Sequence, residues 1–186
     1  MQYTTTYQSP IGRLYLAEKD GALTGLWIEG QKYFLGSVTE EMRDRKDSPV
    51  FERTERWLDR YFAGERPSPG ELRLAPAGSA FRRSVWKLLC EIPYGEVTSY
   101  GKIAQKIAAG MAQRSMSAQA VGGAVSHNPI SIIIPCHRVV GNNGSLTGYA
   151  GGIDKKIRLL TLEGVNMDGF FVPKRGTALP NISDFC

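Results

Sequence analysis

The chain has 186 residues, of which 42% are apolar and 22% are charged, and its formal net charge is +5. These proportions are typical of one medium globular domain, or of a domain that carries a small companion. No apolar stretch approaches the roughly 20 residues of a membrane span, and the first residues lack the basic-then-apolar order of a signal peptide. We therefore expect a cytoplasmic protein without a membrane partner.

The positive charge is concentrated in the second part of the chain. Residues 1–79 hold 11 Lys and Arg against 12 Asp and Glu, whereas residues 80–186 hold 12 against 6, a net charge of +6. Such an imbalance is expected of a module that meets phosphates. An ordinary protein surface explains it equally well at this point.

Residues 1–78 are predicted to form a supporting domain, a small antiparallel sheet covered by one helix. Strand-type runs predict three strands, over residues 3–7, 11–17 and 22–28. Apolar residues at three- and four-residue steps from Val50 to Phe62 predict the helix, which ends at Gly64. Proline and glycine then mark a linker over residues 65–79. We find no candidate for chemistry in this domain.

Residues 79–172 are predicted to form a mainly helical second domain, and residues 173–186 a polar tail. A first helix begins near Ala80 and stops before Pro93. Two short helices joined by a turn that contains Gly110 follow, from Thr98 or Ser99 to Ala108 and from Ser117 to His127, and they predict a helix-turn-helix.

The last part of this domain is predicted to hold a short active-site strand and one more helix. Residues 130–134 are a β-branched run of strand type that ends at Pro135. Asp154 can open the last helix and Gly164 can close it. The predicted fold class is α+β with two domains.

The second short helix has few side chains on much of its surface, where Gly122 and Gly123 stand among alanines. Glycine in a helix costs roughly 1 kcal/mol relative to alanine, so a pair of glycines needs an offsetting reason. Close approach to another backbone supplies one. The approaching partner is either another helix of the same domain or the groove of a nucleic acid.

Of the three cysteines, Cys136 has the surroundings of a nucleophile. The set has no CxxC spacing, so neither a disulfide framework nor a structural zinc site is indicated, and we expect no metal and no cofactor. Cys90 lies on an apolar helix face and is expected to be a core thiol, and Cys186 ends the chain. Cys136 directly follows the predicted strand and precedes His137, which a bridging water can connect to the thiol.

Glu163 falls in the last turn of the last predicted helix, where a carboxylate faces the negative end of the helix dipole. A histidine that it orients is one possible compensation, which gives a relay of Glu163, His137, water and Cys136. An exposed glutamate that tolerates the position is the alternative.

The run from Ile134 to Gly141, which contains Cys136 and His137, resembles the active-site signature of the O6-alkylguanine-DNA alkyltransferases, the methylated-DNA–protein-cysteine methyltransferases. The resemblance covers roughly residues 80–165. It includes further motifs in the same order, at residues 94–100, 120–124, 128–129, 149–152 and 162–164. Residues 1–78 match the family in size and in their order of strands and helix.

This resemblance implies direct and irreversible repair of double-stranded DNA that contains O6-alkylguanine, with O4-alkylthymine as a further candidate substrate. The alkyl or methyl group would move from a flipped-out base to Cys136, once per protein molecule, and the protein would act as a monomer. His137 and Glu163 would be the water-relay partners of the thiol. Asn128 would tie the recognition helix to the active-site strand, and Tyr100 would turn the phosphate and donate a proton to the departing guanine.

The resemblance also implies contacts with the base and the groove. The backbone carbonyls of Cys136 and Val139 would read the guanine amino group, and the backbone NH of Ala150 would approach O6. The recognition helix would lie against the minor groove at Gly122 and Gly123.

Gln119 stands where the family commonly inserts an arginine into the base stack. The remaining residues that we expect to contact substrate or DNA are Ala120, Val125, Ser131, Arg138 and Tyr149.

Two other functions fit parts of this pattern. A non-catalytic lesion-binding protein of the alkyltransferase-like type would lack the acceptor, so Cys136 argues against it. A Cys-His hydrolase would need an oxyanion hole and would turn over many substrate molecules.

Overall fold

The computed structural model describes residues 1–38, 40–111 and 114–173. The predicted tail beyond Pro173, with Cys186, lies outside the described residues.

The first part of the chain forms a four-stranded sheet: β1 (Gln2–Ser9), β2 (Gly12–Lys19), β3 (Ala22–Ile28) and β4 (Met42–Asp44). Its strand order is β3-β2-β1-β4. The three predicted strands pair antiparallel, but β4 pairs parallel with β1, so the sheet is mixed rather than antiparallel. The prediction missed β4 because three residues in a polar stretch are too few to show an alternating pattern.

Helix α1 (Pro49–Phe62) covers this sheet, as predicted, and packs against β1, β2 and β3. The hydroxyl of Ser48 caps its start by accepting a hydrogen bond from the Val50 backbone NH. Its buried side includes Phe51, Trp57 and Tyr61.

The predicted linker is held against the sheet. It contains a 3₁₀ turn at Pro69–Glu71, and Leu74 then forms an isolated parallel bridge with Leu23 of β3. The Leu23 backbone NH donates to the Arg73 carbonyl at 2.9 Å, and the Ala75 NH donates to the Leu23 carbonyl at 2.8 Å. The linker therefore protects part of the free edge of β3.

The second part contains α2 (Ala80–Leu89), β5 (Thr98–Ser99), α3 (Tyr100–Gly110), α4 (Ala118–Ser126), β6 (Val139–Val140) and α5 (Ile153–Leu162). The hydroxyls of Ser99 and Ser117 cap α3 and α4, which pack together as the predicted helix-turn-helix. Strands β5 and β6 pair in parallel. Gly152, not Asp154, stands at the N-cap of α5.

The strand predicted over residues 130–134 is wrong. Only Ile130 pairs, in an isolated bridge with Leu26 of β3, and the chain then turns through residues 131–134 to a 3₁₀ turn at Cys136–Arg138. Ile132 has a φ of 72°, which a β-branched residue rarely adopts. An apolar run shows that a segment is buried but does not show whether it is extended, and this run turns inside the core.

Both parts of the chain share one hydrophobic core. The cluster joins Leu16, Leu26 and Trp57 from the first part to Trp86 and Val125 from the second. The Leu26 NH donates to the Pro129 carbonyl, and Leu26 in turn accepts from the Ser131 NH, both at 2.8 Å. The sheet is therefore continuous in packing with the turn that leads to Cys136.

In the part of the chain that the structure describes, no helix is both long and apolar enough to cross a membrane.

Candidate active site

Cys136 begins the 3₁₀ turn and is 4% exposed. Its backbone NH donates to the Ile134 carbonyl at 2.8 Å, which tightens the bend directly before it. Burial raises the pKa of the Cys136 thiol, while a hydrogen bond from Asn128 and the charge of Lys156 lower it in part. The resting thiol is therefore protonated and must be activated by a base.

Asn128 ties the end of α4 to this bend. Its side-chain oxygen accepts from the Ile130 NH at 3.0 Å. Its Nδ2 donates to the Ile134 carbonyl at 2.8 Å and to Cys136 Sγ at 3.1 Å. One buried amide thus fixes both the turn and the sulfur.

Glu163 is 3% exposed, and its carboxylate accepts hydrogen bonds from four residues. Oε1 accepts from His137 Nε2 at 2.6 Å and from Tyr61 Oη at 2.7 Å. Arg138 donates from Nε to Oε2 at 2.8 Å and from Nη2 to Oε1 at 3.0 Å. The Gly95 backbone NH donates to Oε2 at 3.2 Å. The glutamate is therefore buried and paired, and the alternative of an exposed glutamate is wrong.

These partners decide the protonation of the pair formed by Glu163 and His137. Burial alone would raise the pKa of the Glu163 carboxyl, but the hydrogen bonds and charges of His137 and Arg138 outweigh it and lower the pKa to about 2. Burial lowers the pKa of the fully buried His137, so the ring is neutral. A neutral ring that donates from Nε2 to a carboxylate keeps a lone pair on Nδ1.

That second ring nitrogen is buried. His137 Nδ1 and the Tyr149 hydroxyl are buried polar atoms without a hydrogen-bond partner among the described residues. The two rings meet edge to face, with centroids 6.3 Å apart. His137 is thus oriented on one side by Glu163 and has a free base on the other.

Lys156 is a residue of this site that the sequence analysis missed. It is fully buried on α5, and its Nζ donates to the carbonyls of Val139 at 2.5 Å and of Thr147 at 2.9 Å. Burial lowers the pKa of Lys156 to about 8, and the neighbouring Cys136 opposes that shift. Its place between Ile153 and Leu159, at three-residue steps on the apolar face of the helix, is the signal that could have found it.

Tyr100 opens α3, and its hydroxyl donates to the Thr147 carbonyl at 3.0 Å. Burial and the nearby Cys136 raise its pKa, so the phenol stays protonated. Gly148 has a φ of 77°, and a Cβ there would overlap the Tyr100 hydroxyl. Glycine at this position lets the loop pass directly over the tyrosine.

The exposed side of α4 carries Gln119, Ala120 and Gly123. A Cβ added at Gly123 would meet nothing within 4 Å, and one at Gly122 would make only ordinary contact with the Tyr100 ring, at 3.8 Å. Packing inside the protein therefore does not require glycine at either position. This surface of small residues is therefore available to an external partner.

The structure does not place four of the expected contact residues on that surface. The guanidinium of Arg138 is engaged by Glu163 and by the Ile92 carbonyl at 2.6 Å, and Val125 is 1% exposed in the core. The Ser131 hydroxyl donates to Gln31 Oε1 at 3.1 Å. The fourth is Val139, whose carbonyl already accepts from Lys156. In this structure the polar groups of Arg138, Ser131 and Val139 form hydrogen bonds within the protein, and Val125 packs in the core.

The loop that carries Tyr149 and Ala150 is held by the first part of the chain. The Lys32 backbone NH donates to the Ala150 carbonyl at 2.9 Å. Tyr149 is buried and Ala150 half-buried, beside the cysteine turn.

Tyr61 is the second residue that the sequence analysis missed, because no chemistry was expected in residues 1–78. Its hydroxyl reaches Glu163 from α1. The available signal was a tyrosine on the buried side of a helix, since a buried tyrosine hydroxyl usually has a partner.

A helix-turn-helix with a bare outer surface, next to a buried cysteine, histidine and glutamate, is the arrangement of a DNA-binding protein with a cysteine nucleophile. Two family models match the chain: the DNA-binding domain of 6-O-methylguanine DNA methyltransferase over residues 80–165, and its ribonuclease-like domain over residues 2–76. The chain belongs to the 6-O-methylguanine DNA methyltransferase family.

Named relatives agree with this assignment. Proteins called methylated-DNA–protein-cysteine methyltransferase from Haemophilus influenzae and Methanosarcina acetivorans are 40% and 45% identical to the chain. Each match covers 87% of this chain, and 86% and 98% of the respective relative. A crystal structure of Mycobacterium tuberculosis OGT in complex with DNA is similar with a TM-score of 0.75 and 42% identity, covering 87% of this chain and 92% of that one.

We predict that Glu163→Gln destabilises the protein by about 3 kcal/mol at neutral pH, because it leaves the buried Arg138 unpaired. The wild-type carboxyl has a pKa of about 2 instead of 4.5, so its contribution is complete above pH 4.5 and is lost as the pH falls toward 2. Denaturant unfolding at several pH values should show the two proteins converge below pH 4.5. Exposed Glu91 supplies the control Glu91→Gln, and a pH-independent difference for Glu163→Gln would contradict the prediction.

Proposed function

We propose that this protein repairs DNA by moving the alkyl group of O6-alkylguanine irreversibly onto Cys136. Alkyl transfer to a cysteine is the activity of the family to which the chain belongs. One observation carries the choice of Cys136: its sulfur is held by Asn128 at 3.1 Å, next in the chain to a histidine that a buried carboxylate orients. Cys90 has no such hydrogen-bond partners among the residues that the structure describes, and burial raises its pKa to about 11.

His137 is the base in this proposal. Its Nε2 proton is committed to the Glu163 carboxylate, so Nδ1 accepts the thiol proton through a bridging water. The positive charge of Lys156 favours the thiolate that forms. Both effects lower the energy of a thiolate that the buried site otherwise disfavours.

The reaction requires that the damaged base leave the DNA stack. Cys136 is only 4% exposed, so a guanine inside a duplex cannot reach it. We infer that α4 lies against the minor groove, where Gly123 and Ala120 allow close approach. Gln119, exposed in the first turn of α4, occupies the space that the flipped base leaves.

The sulfur of Cys136 attacks the alkyl carbon, an S–C bond forms, and the C–O6 bond breaks with its electron pair left on guanine. Tyr100 donates a proton to the guanine anion and recovers one from the solvent, because its raised pKa makes the phenolate a strong base. A thioether is not readily hydrolysed, so each protein molecule acts once.

The guanine is recognised by backbone groups in this proposal. The carbonyls of Cys136 and Val139 accept from its amino group, and the Ala150 NH donates to O6. The Val139 carbonyl also accepts from Lys156 Nζ, and a carbonyl oxygen can accept two hydrogen bonds. The specificity for O6-alkylguanine, a monomeric state and a cytoplasmic location stay predictions.

Replacement of the acceptor tests the proposal directly. Cys136→Ser should abolish methyl transfer from an O6-methylguanine duplex and still bind that duplex, because it removes the nucleophile without changing the DNA-binding surface. Intact mass spectrometry of the wild type should show the gain of one methyl group per molecule, on Cys136. A label on Cys90 or Cys186, or several methyl groups removed per protein molecule, would contradict the proposal.

Gly123→Leu should separate folding from DNA binding. The new side chain meets open space and has a better helix propensity, so we expect the folded state to gain roughly 0.5–1 kcal/mol. Duplex affinity should fall about tenfold or more, which corresponds to a loss of at least about 1.4 kcal/mol in binding.

The matched control is Gly110→Leu at the end of α3, where an added Cβ also meets nothing within 4 Å. Thermal unfolding and a fluorescence-anisotropy titration with duplex DNA measure both quantities. A destabilised Gly123→Leu would show that internal packing requires this glycine, and an unchanged affinity would show that α4 does not face DNA.

Gln119→Arg should speed repair of a duplex that contains O6-methylguanine. An arginine adds a planar cation that stacks on bases and pairs with phosphates, and we expect base flipping to improve by about 1 kcal/mol. The rate with free O6-benzylguanine should be nearly unaltered, because that base needs no flipping. Single-turnover rates for each substrate make the comparison, and slower duplex repair would mean that glutamine already fits this site.

A further inference from the structure

The first part of the chain contributes one polar group to the buried relay. Tyr61 lies near the end of α1, 102 residues before Glu163 in sequence, and is fully buried. Its hydroxyl donates to Glu163 Oε1 at 2.7 Å and lies 3.5 Å from His137 Nε2. It therefore reaches the atom through which the glutamate orients the histidine.

The rest of the Tyr61 side chain is held by aromatic packing. Its ring stacks on Trp57 with centroids 5.4 Å apart and meets Phe62 and Tyr94 edge to face. Removal of the hydroxyl alone would keep these contacts. The hydroxyl is thus a polar group that the hydrophobic packing of the ring does not require.

Three hydrogen-bond donors meet at Glu163 Oε1. It receives His137 Nε2, Tyr61 Oη and Arg138 Nη2, at 2.6, 2.7 and 3.0 Å. Each additional donor on a carboxylate oxygen spreads its negative charge and weakens its hold on the others. The strength of the bond to His137 therefore depends on Tyr61.

We propose that Tyr61 is a positioning residue of the relay: by sharing Oε1 with His137, it limits the negative charge that the histidine senses and keeps the ring neutral. The inference rests on the proposed roles of His137 and Glu163. It gives residues 1–78 a part in the chemistry as well as in support.

The titratable and charged groups around this pair come from several elements. Tyr61 comes from α1, Arg138 and Cys136 from the 3₁₀ turn, and Lys156 from α5, while Tyr94 and Tyr149 lie in loops. Burial, followed by the charge of Glu163, raises the pKa of Tyr61 well above 10, so its hydroxyl donates at every working pH. Arg138 and Lys156 disfavour a charged His137, and the loss of the Tyr61 donor would strengthen the opposing attraction of Glu163.

The test is the pH dependence of single-turnover methyl transfer in the full chain. In Tyr61→Phe, the pKa of His137 should rise and the acid limb of the rate profile should move to higher pH by up to about one unit. Transfer on the acid limb would then be up to about tenfold slower, with the high-pH plateau and duplex affinity nearly unchanged. A purely structural role would lower the plateau without moving the limb.

Tyr94→Phe is the matched control. Its hydroxyl donates to the Leu162 carbonyl at 3.1 Å, its ring packs against Tyr61, and neither contact reaches Glu163. The control should keep the wild-type profile. Glu163→Gln, measured in the same way, shows whether methyl transfer depends on the relay.

If Tyr61→Phe folds poorly, the pKa of His137 can be measured on the folded fraction of the protein. The chain has two histidines, so a comparison with His127→Gln assigns the ¹⁵N imidazole signals of the folded fraction. The pH dependence of the His137 signals then gives the pKa of His137 directly. An upward shift of its pKa in Tyr61→Phe supports the inference. A Tyr61→Phe profile and titration identical to those of Tyr94→Phe, with Glu163→Gln impaired, overturns the role of Tyr61 alone. An unimpaired Glu163→Gln overturns the relay and this inference together.

Discussion

The Glu163 carboxylate is the point at which the elements of the site meet. It is a buried charge, and burial of an ion is tolerated only where partners replace the lost water. Those partners come from α1, from the loop before β5 and from the 3₁₀ turn that begins with Cys136. The orientation of the histidine and the position of the turn both follow from satisfying this one group.

A second constraint keeps the nucleophile inactive until it is needed. Burial holds Cys136 as a neutral thiol, which protects it from reactions with other electrophiles. His137 and Lys156, which we propose as the general base and as the positive charge that favours the thiolate, are buried in the same core. In the proposed reaction the damaged nucleobase must be brought to this pocket, and we assign that task to the helix-turn-helix.

The first part of the chain is bonded to the segments on both sides of the cysteine turn. Its sheet edge pairs with Ile130, and the loop after β3 binds Ser131 through Gln31 and the Ala150 carbonyl through the Lys32 NH. Because the core is shared, a change in packing of the sheet would move the cysteine turn and the substrate loop together. This coupling explains why the segment without a nucleophile accompanies the segment that has one.

The sequence by itself determined most of the elements and singled out Cys136 as the candidate nucleophile. Helices α1 to α5 and strands β1 to β3 follow from short-range periodicity and caps, and the order of motifs around Cys136 identifies the chemistry, because both signals lie within short stretches of chain. Only the tertiary structure decided that the apolar run after Asn128 turns inside the core, and which partners Tyr61, Arg138 and Lys156 contact. A buried polar or charged side chain acts through the partner that it meets, and for Tyr61 that partner lies 102 residues away. Local sequence patterns carry no information about such a meeting, since packing of the whole chain creates it.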